Sequence, residues 1–280
     1  MGVVFFVIVG VILRGIERIF PARDARGAPI RTRLLARERL TDVAHVIFNG
    51  LVTKKIVGVA AIATFFAFVL AFGLPRDPSH LYDVWHRDAR LAHLPISVQA
   101  PLAIVFADLV GYWAHRALHH GVLWRLHVVH HSSRALDWLA GARNHPAGEA
   151  FATVVSGAAL LVVGFDPRVL AVAAPLGLYA LLLHANVSFG TSWVRYVVTT
   201  PLFHRWHHAH PNALPEGMKQ GSNFAGLLPV WDLIFGTYFC PVAQPDAFGT
   251  DVPSRREPRT RIQVPATFAK QLVFPFRRDW

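Results

Sequence analysis

Charged side chains are scarce in this sequence, cysteine is nearly missing, and nothing in it looks like a linker. Only 16% of its 280 residues are charged, where soluble domains carry about 25%. With 53% hydrophobic residues and a mean hydropathy of +0.37, that deficit points away from an ordinary water-soluble globule. The lone Cys240 excludes an internal disulfide framework and a cysteine-based zinc site. No activating partner lies near it in sequence, so it reads as packing. No Ser/Gly linker, charge block or internal repeat divides the chain, so residues 1–280 read as a single membrane-embedded domain. Motifs for flavin, haem or dinucleotides are missing as well.

Acidic residues number 17 against 28 Lys and Arg, a net charge of +11. Such an excess fits a nucleic-acid binder or a protein with its basic loops at one membrane surface. The apolar runs decide between them, since a helix needs about 20 residues to span a bilayer. Ile56 to Leu74 offers 19 without a charge, and Pro95 to Ala114 offers 20 with Asp108 near its end. Ala150 to Phe165 and Val169 to Leu183 are shorter, at 16 and 15, and are joined by Asp166-Pro167-Arg168. They read as a hairpin that spans obliquely or enters deeply from one side. Val3 to Leu13 is an anchor or a shortened first helix. It lacks the basic start and small-residue cleavage site of a signal peptide.

Pairs of helices place residues 14–55, 115–149 and 191–280 on one face, with 24 Lys and Arg against four on the other. The positive-inside rule puts the rich face in the cytoplasm, with no nucleic-acid partner required. The expected fold is all-α: an integral membrane bundle of about four transmembrane or deeply inserted helices in hairpins. A cytosolic, helical, histidine-rich di-metal region caps it.

Histidine is abundant. Twelve of the 16 fall between His115 and His210, in three clusters. His115 and His119 form HxxxH; His127, His130 and His131 form HxxHH; His204, His207 and His208 form a second HxxHH. On a helix, residues three or four apart share a face, and imidazole suits zinc, copper, iron and nickel. One such cluster on its own is as often a solvated surface as a metal site, but three together are a metal-binding pattern. Eight imidazoles exceed the needs of one four-coordinate zinc and suit two metals. The lack of cysteine and the few nearby acidic residues argue against Fe–S and carboxylate-bridged centres. Asp108, seven residues before His115, shares its helix face and is placed to accept a hydrogen bond from a ligand's second nitrogen, or else is solvated at the interface.

At these residues the chain resembles the sterol desaturase / fatty acid hydroxylase superfamily. The likeness runs through Asp108-Leu-Val-Gly-Tyr-Trp-Ala-His-Arg-Ala-Leu-His119, Trp124-Arg-Leu-His-Val-Val-His-His-Ser132, Asn144-His-Pro-Ala-Gly-Glu149, His184-Ala-Asn186 and His204-Arg-Trp-His-His208. It closes on Asn223-Phe224, Trp231-Asp232 and Phe235-Gly-Thr-Tyr238. The resemblance implies a catalytic region over residues 100–240 and a non-haem centre of two Fe2+ ions. O2 would be the co-substrate, a separate protein the electron donor, and the substrate an acyl, sterol-like or isoprenoid lipid that is hydroxylated or desaturated. It adds His145 and His184 as candidate ligands, and Asn186, Asn223 and Asp232 beside Asp108 as supporting residues. It also implies a membrane location, here the bacterial inner membrane or its equivalent. Some members carry a further histidine four residues beyond His184. Ser188 stands there, a departure that weakens assignment to the fatty-acid 2-hydroxylase branch and bears on the ligands of the second metal.

Other readings fit less well. A metal transporter would carry its ligands at mid-bilayer, whereas these clusters follow the apolar runs among Arg and Trp. A zinc hydrolase would want a glutamate inside a motif such as HExxH, and neither HxxHH has one. A carotenoid hydroxylase is the nearest competitor within the oxygenase class.

Overall fold

The computed structural model describes residues 3–24, 26–30, 36–166, 168–169, 174–215, 221–257 and 259–280. The helices are α1 (Val3–Ile19), α2 (Ala36–Phe48), α3 (Lys54–Ala71), α4 (Pro78–Asp88), α5 (Ile96–Leu118) and α6 (Trp124–His127). They continue with α7 (Pro146–Val163), α8 (Ala174–His184), α9 (Pro201–His207), α10 (Val230–Ile234) and α11 (Phe268–Val273). The described strands are a short antiparallel pair near the C-terminus, β1 (Asp251–Pro253) and β2 (Arg261–Gln263).

Three helical stretches are long and apolar enough to cross a membrane: Glu38–Ala71, Ile96–Leu118 and Pro146–Val163. They correspond to three of the expected runs. Of the fourth, Val169 to Leu183, the described part includes α8, while Pro167 and residues 170–173 lie outside the described residues. α3 packs on α7 and α7 on α5. Val59, Ile62, Phe66 and Leu70 of α3 all lie more than half exposed, an apolar surface suited to lipid rather than water.

The stretch Glu38–Ala71 is not uniform. Its first half carries Asp42 and His45, both fully buried. Asp42 pairs with Arg143 at 2.6 Å, and His45 Nε2 shares a 2.8 Å hydrogen bond with Gln271 Oε1 on α11. A π-helical turn at Asn49–Thr53 joins the halves, with Asn49 Nδ2 donating to Ala142 O. α2 is therefore polar because it docks on the histidine-bearing region, and only α3 presents apolar residues on all sides.

At the opposite end, α4 starts at the Asp77 cap and Pro78. Trp85 Nε1 donates to Phe165 O, closing that end over the α7 terminus. There Gly164 adopts φ 87°, a left-handed helix stop that glycine permits. The ends of α5, α8 and α9 and all of α6 meet at the other pole. Tyr112, Leu202, Phe203, Trp206 and Phe224 pack beneath the histidines, and Val128, Val129, Val252, Phe274 and Trp280 pack beside them.

Candidate metal centre

Two groups of histidines converge at that pole. His115, His119, His127, His131 and His207 bring one nitrogen each within 4.8 Å of one another, and so do His130, His184, His204 and His208. Each HxxHH motif is split between them. His127 and His131 join the five-membered group while His130 turns to the other; His204 and His208 join the four-membered group while His207 turns back. Helix geometry accounts for this in the second motif, which lies on α9 and its C-cap. At 3.6 residues per turn, positions four apart differ by about 40° and neighbours by about 100°, so its middle histidine faces a second centre. The expectation that all three share one face is corrected on this point. The first motif is also not one helix: it runs from α6 through a turn into a 3-10 segment at His130–Ser132.

Backbone carbonyls set the tautomers. His115 Nδ1 donates to Phe224 O at 2.8 Å, His207 Nδ1 to Ser222 O at 2.8 Å and His184 Nδ1 to Ala180 O at 2.7 Å. A neutral imidazole that donates from Nδ1 keeps a lone pair on Nε2, and here those lone pairs point inward. His115 Nε2 lies 3.0 Å from His127 Nε2, His184 Nε2 lies 3.2 Å from His130 Nε2, and His204 Nε2 lies 3.0 and 3.1 Å from His184 and His208. Nitrogens bound to one ion at about 2.0–2.1 Å stand about 3 Å apart. Nε2 of His119, His131 and His207 is buried without a hydrogen-bond partner among the described residues, which is costly unless a metal takes the lone pair. The donor set fits two metal ions.

Burial, reinforced by neighbouring imidazoles, holds His119, His127, His130, His131, His204 and His208 well below the ordinary histidine range. Burial does the same to His207. These rings are therefore neutral, the form that coordinates metal.

The other expected site residues divide. His184, at the end of α8, joins the four-membered group. His145 joins neither: its Nε2 donates to Leu272 O and its Nδ1 accepts from Ala147 N–H, capping α7. Ser188 is tied by its backbone to Phe20 O and stays out of the second group. Asp108 touches no histidine; its carboxylate accepts from the N–H groups of Leu227 and Leu228 and from Trp231 Nε1. Seven residues of helix are about 10 Å, too far to reach His115, whose second nitrogen uses Phe224 O instead. Asp232 accepts from Phe224 and Ala225 N–H. Asn223, at φ 61°, bridges Phe203 O and Phe239 O through its amide nitrogen. These three hold the loop whose carbonyls orient His115 and His207. Asn186 Nδ2 donates to Ile30 O and its backbone N–H donates to Glu17 Oε1 on α1, fixing the end of α1 rather than a histidine.

Residues that no motif singled out also serve the site. Arg143 links Asp42 to Ser132 Oγ, directly after His130 and His131. The Trp124 ring lies 5.0 Å from His119 and 5.4 Å from His131. A cavity of about 170 Å³ between α5 and α7 reaches His115 and His127, and Glu149 is part of its wall.

Comparison with known proteins places this geometry in context. The family model for fatty acid hydroxylase matches residues 100–237. Ornithine lipid hydroxylase OlsE of Rhizobium tropici is 31% identical over 243 residues, covering 86% of this chain and 67% of the relative. Alkylglycerol monooxygenase of Danio rerio is 32% identical over 157 residues, 54% of this chain and 33% of the relative. Very-long-chain aldehyde decarbonylase GL1-1 of Oryza sativa subsp. indica is 28% identical over 174 residues, 52% and 25% respectively. The chain thus spans a third or less of the last two. No solved structure matches.

Proposed function

The chain belongs to the fatty acid hydroxylase family, and on that footing we propose that it is a membrane-bound, O2-dependent lipid hydroxylase with two histidine-held iron ions. The observation that carries this reading is the pair of interleaved histidine groups, in which inward nitrogens crowd to about 3 Å and Nε2 of His119, His131 and His207 has no hydrogen-bond partner among the described residues. His115, His119, His127, His131 and His207 would hold one ion, and His130, His184, His204 and His208 the other. Iron rather than zinc follows from the chemistry, because zinc has no redox function. Bound there, iron would supply O2 activation and oxidation of an unactivated C–H bond, with electrons from a separate donor protein.

The chain's own contribution is placement. The carbonyls of Phe224, Ser222 and Ala180 fix which nitrogen of His115, His207 and His184 faces the centre. Asp108, Asn223 and Asp232 brace the loop that carries two of those carbonyls. The cavity beside His115 and His127 opens between two helices apolar enough to cross a membrane, so a lipid can present a C–H bond there away from bulk water. The 24-to-four basic asymmetry supports a cytoplasmic position for this pole. A reporter fused after Trp280 that works only outside the inner membrane would reverse that assignment.

The deciding experiment measures metal content and turnover together in purified protein. About two irons per chain, with O2- and donor-dependent conversion of a lipid extract to products heavier by one oxygen, is the expected result. One zinc per chain with full activity would overturn the di-iron reading.

A further inference from the structure

The cavity between α5 and α7 holds an ionisable group that the metal chemistry does not use. Its walls are mostly small or apolar, including Gly111, Ala114, Leu118 and Leu126. His115 and His127 bound one side and Glu149 another. By the 10–15 Å³ that one water occupies in this measure, its volume of about 170 Å³ holds on the order of ten non-hydrogen atoms. Two other polar groups in the wall are already engaged. His145 uses both ring nitrogens, and Asn144 Nδ2 donates to Gly141 O. The Glu149 carboxylate has no hydrogen-bond or ion-pair partner among the described residues.

An acidic side chain inside an apolar helix, Pro146–Val163, is costly there unless it is paired. Its place in the first turn of α7 brings some help from the helix dipole, but only a fraction of what lost hydration costs. A plain hydrocarbon segment in the cavity would leave the carboxylate without a partner. A cationic group would balance its charge and donate hydrogen bonds.

We propose that Glu149 makes this cavity a binding site for the protonated amine of an amino lipid, held beside His115 and His127. That the occupant is the enzyme's substrate rests on the lipid-hydroxylase reading; that the site binds an amine does not.

The test uses metal-free, full-length protein in detergent micelles and needs no turnover, so it stands or falls apart from the di-iron reading. Calorimetry compares octylamine, 1-octanol and octanoate, nine- and ten-atom probes matched to the cavity. Differences between wild type and variant cancel partition into the micelle. The wild type is expected to bind octylamine at least tenfold more tightly than octanol, and octanoate most weakly. Glu149→Gln should lose at least tenfold for octylamine and leave octanol unchanged. Gly111→Leu should weaken both, since Gly111 lines the cavity and a Cβ there meets nothing within 4 Å, so a larger side chain takes up the space. Equal binding of octylamine and octanol by the wild type, no octylamine binding at all, or an amine preference that survives in Glu149→Gln would each overturn the proposal. A wild type without amine preference overturns the proposal even if Glu149→Gln fails to fold.

Discussion

At the scale of single residues, the histidines of the two HxxHH motifs differ in what they serve. His131 and His208 are the fourth-spaced members of their motifs, one in each group. Changing either to alanine should lower turnover about 100-fold or more, because an open coordination position filled by water holds the metal less firmly. The protein should still insert, since the apolar helices are untouched. His80 is exposed on α4, and His80→Ala is expected to leave turnover unchanged. Turnover normalised to membrane protein, with iron content alongside, checks this; equal loss in the His80 variant would mean the assay reports folding alone. The motif histidines were legible in the sequence because helical spacing is written into it. The division of labour inside each motif was not, since it depends on where a second centre lies. Nor was the true role of Asp108, whose partners Leu227, Leu228 and Trp231 lie more than a hundred residues away.

Among the elements, α2 departs most from its sequence pattern. Hydropathy marks the spanning run from Ile56, and the structure extends the helical stretch back to Glu38. That added half is anchored by the buried Asp42–Arg143 pair, which in turn reaches the residue after the first HxxHH. Removing one partner of such a pair costs about 3–5 kcal/mol, whereas replacing both with apolar groups can be neutral. Asp42→Asn should therefore lower the unfolding temperature and release iron. Asp42→Leu combined with Arg143→Met should recover most of the thermal stability but less of the iron, because Arg143 no longer holds Ser132. Thermal melts and metal analysis of the single and double variants separate the two effects. If both variants melt like the wild type, the pair does not hold α2 in place. Pairs of this kind escape sequence reading because neither residue lies in a motif. Of the second arm of the expected hairpin, Val169 to Leu183, the described residues show the helix α8 over Ala174–His184.

For the molecule as a whole, a buried assembly of neutral imidazoles makes stability depend on pH in one direction. His119, His127, His130, His131, His204, His207 and His208 are held below the ordinary histidine value, whereas the unfolded chain takes up protons near pH 6.5. Above about pH 7 neither state is protonated at these rings, and stability is unaffected. As pH falls below about 6.5, the unfolded state gains protons that the fold refuses, each ring costing up to about 1.4 kcal/mol per pH unit. The metal-free protein should show a level unfolding temperature from pH 7 to 8 and a steep fall from pH 6.5 to 5. A flat profile across that range would show that these rings are not buried as neutral imidazoles.

The sharing of each HxxHH between two centres also bears on how metal is acquired. The middle histidine of a motif and its two companions sit on the same short segment, so an ion that immobilises one pair also positions the donor for its neighbour. The first ion to bind thus lowers the entropic cost of the second. Loading should be cooperative, with a Hill coefficient above 1 for iron uptake. Protein purified from iron-limited cells should separate by native mass spectrometry into empty and doubly loaded molecules, with singly loaded ones scarce. A dominant one-ion species would mean that the two centres fill independently despite their common segments.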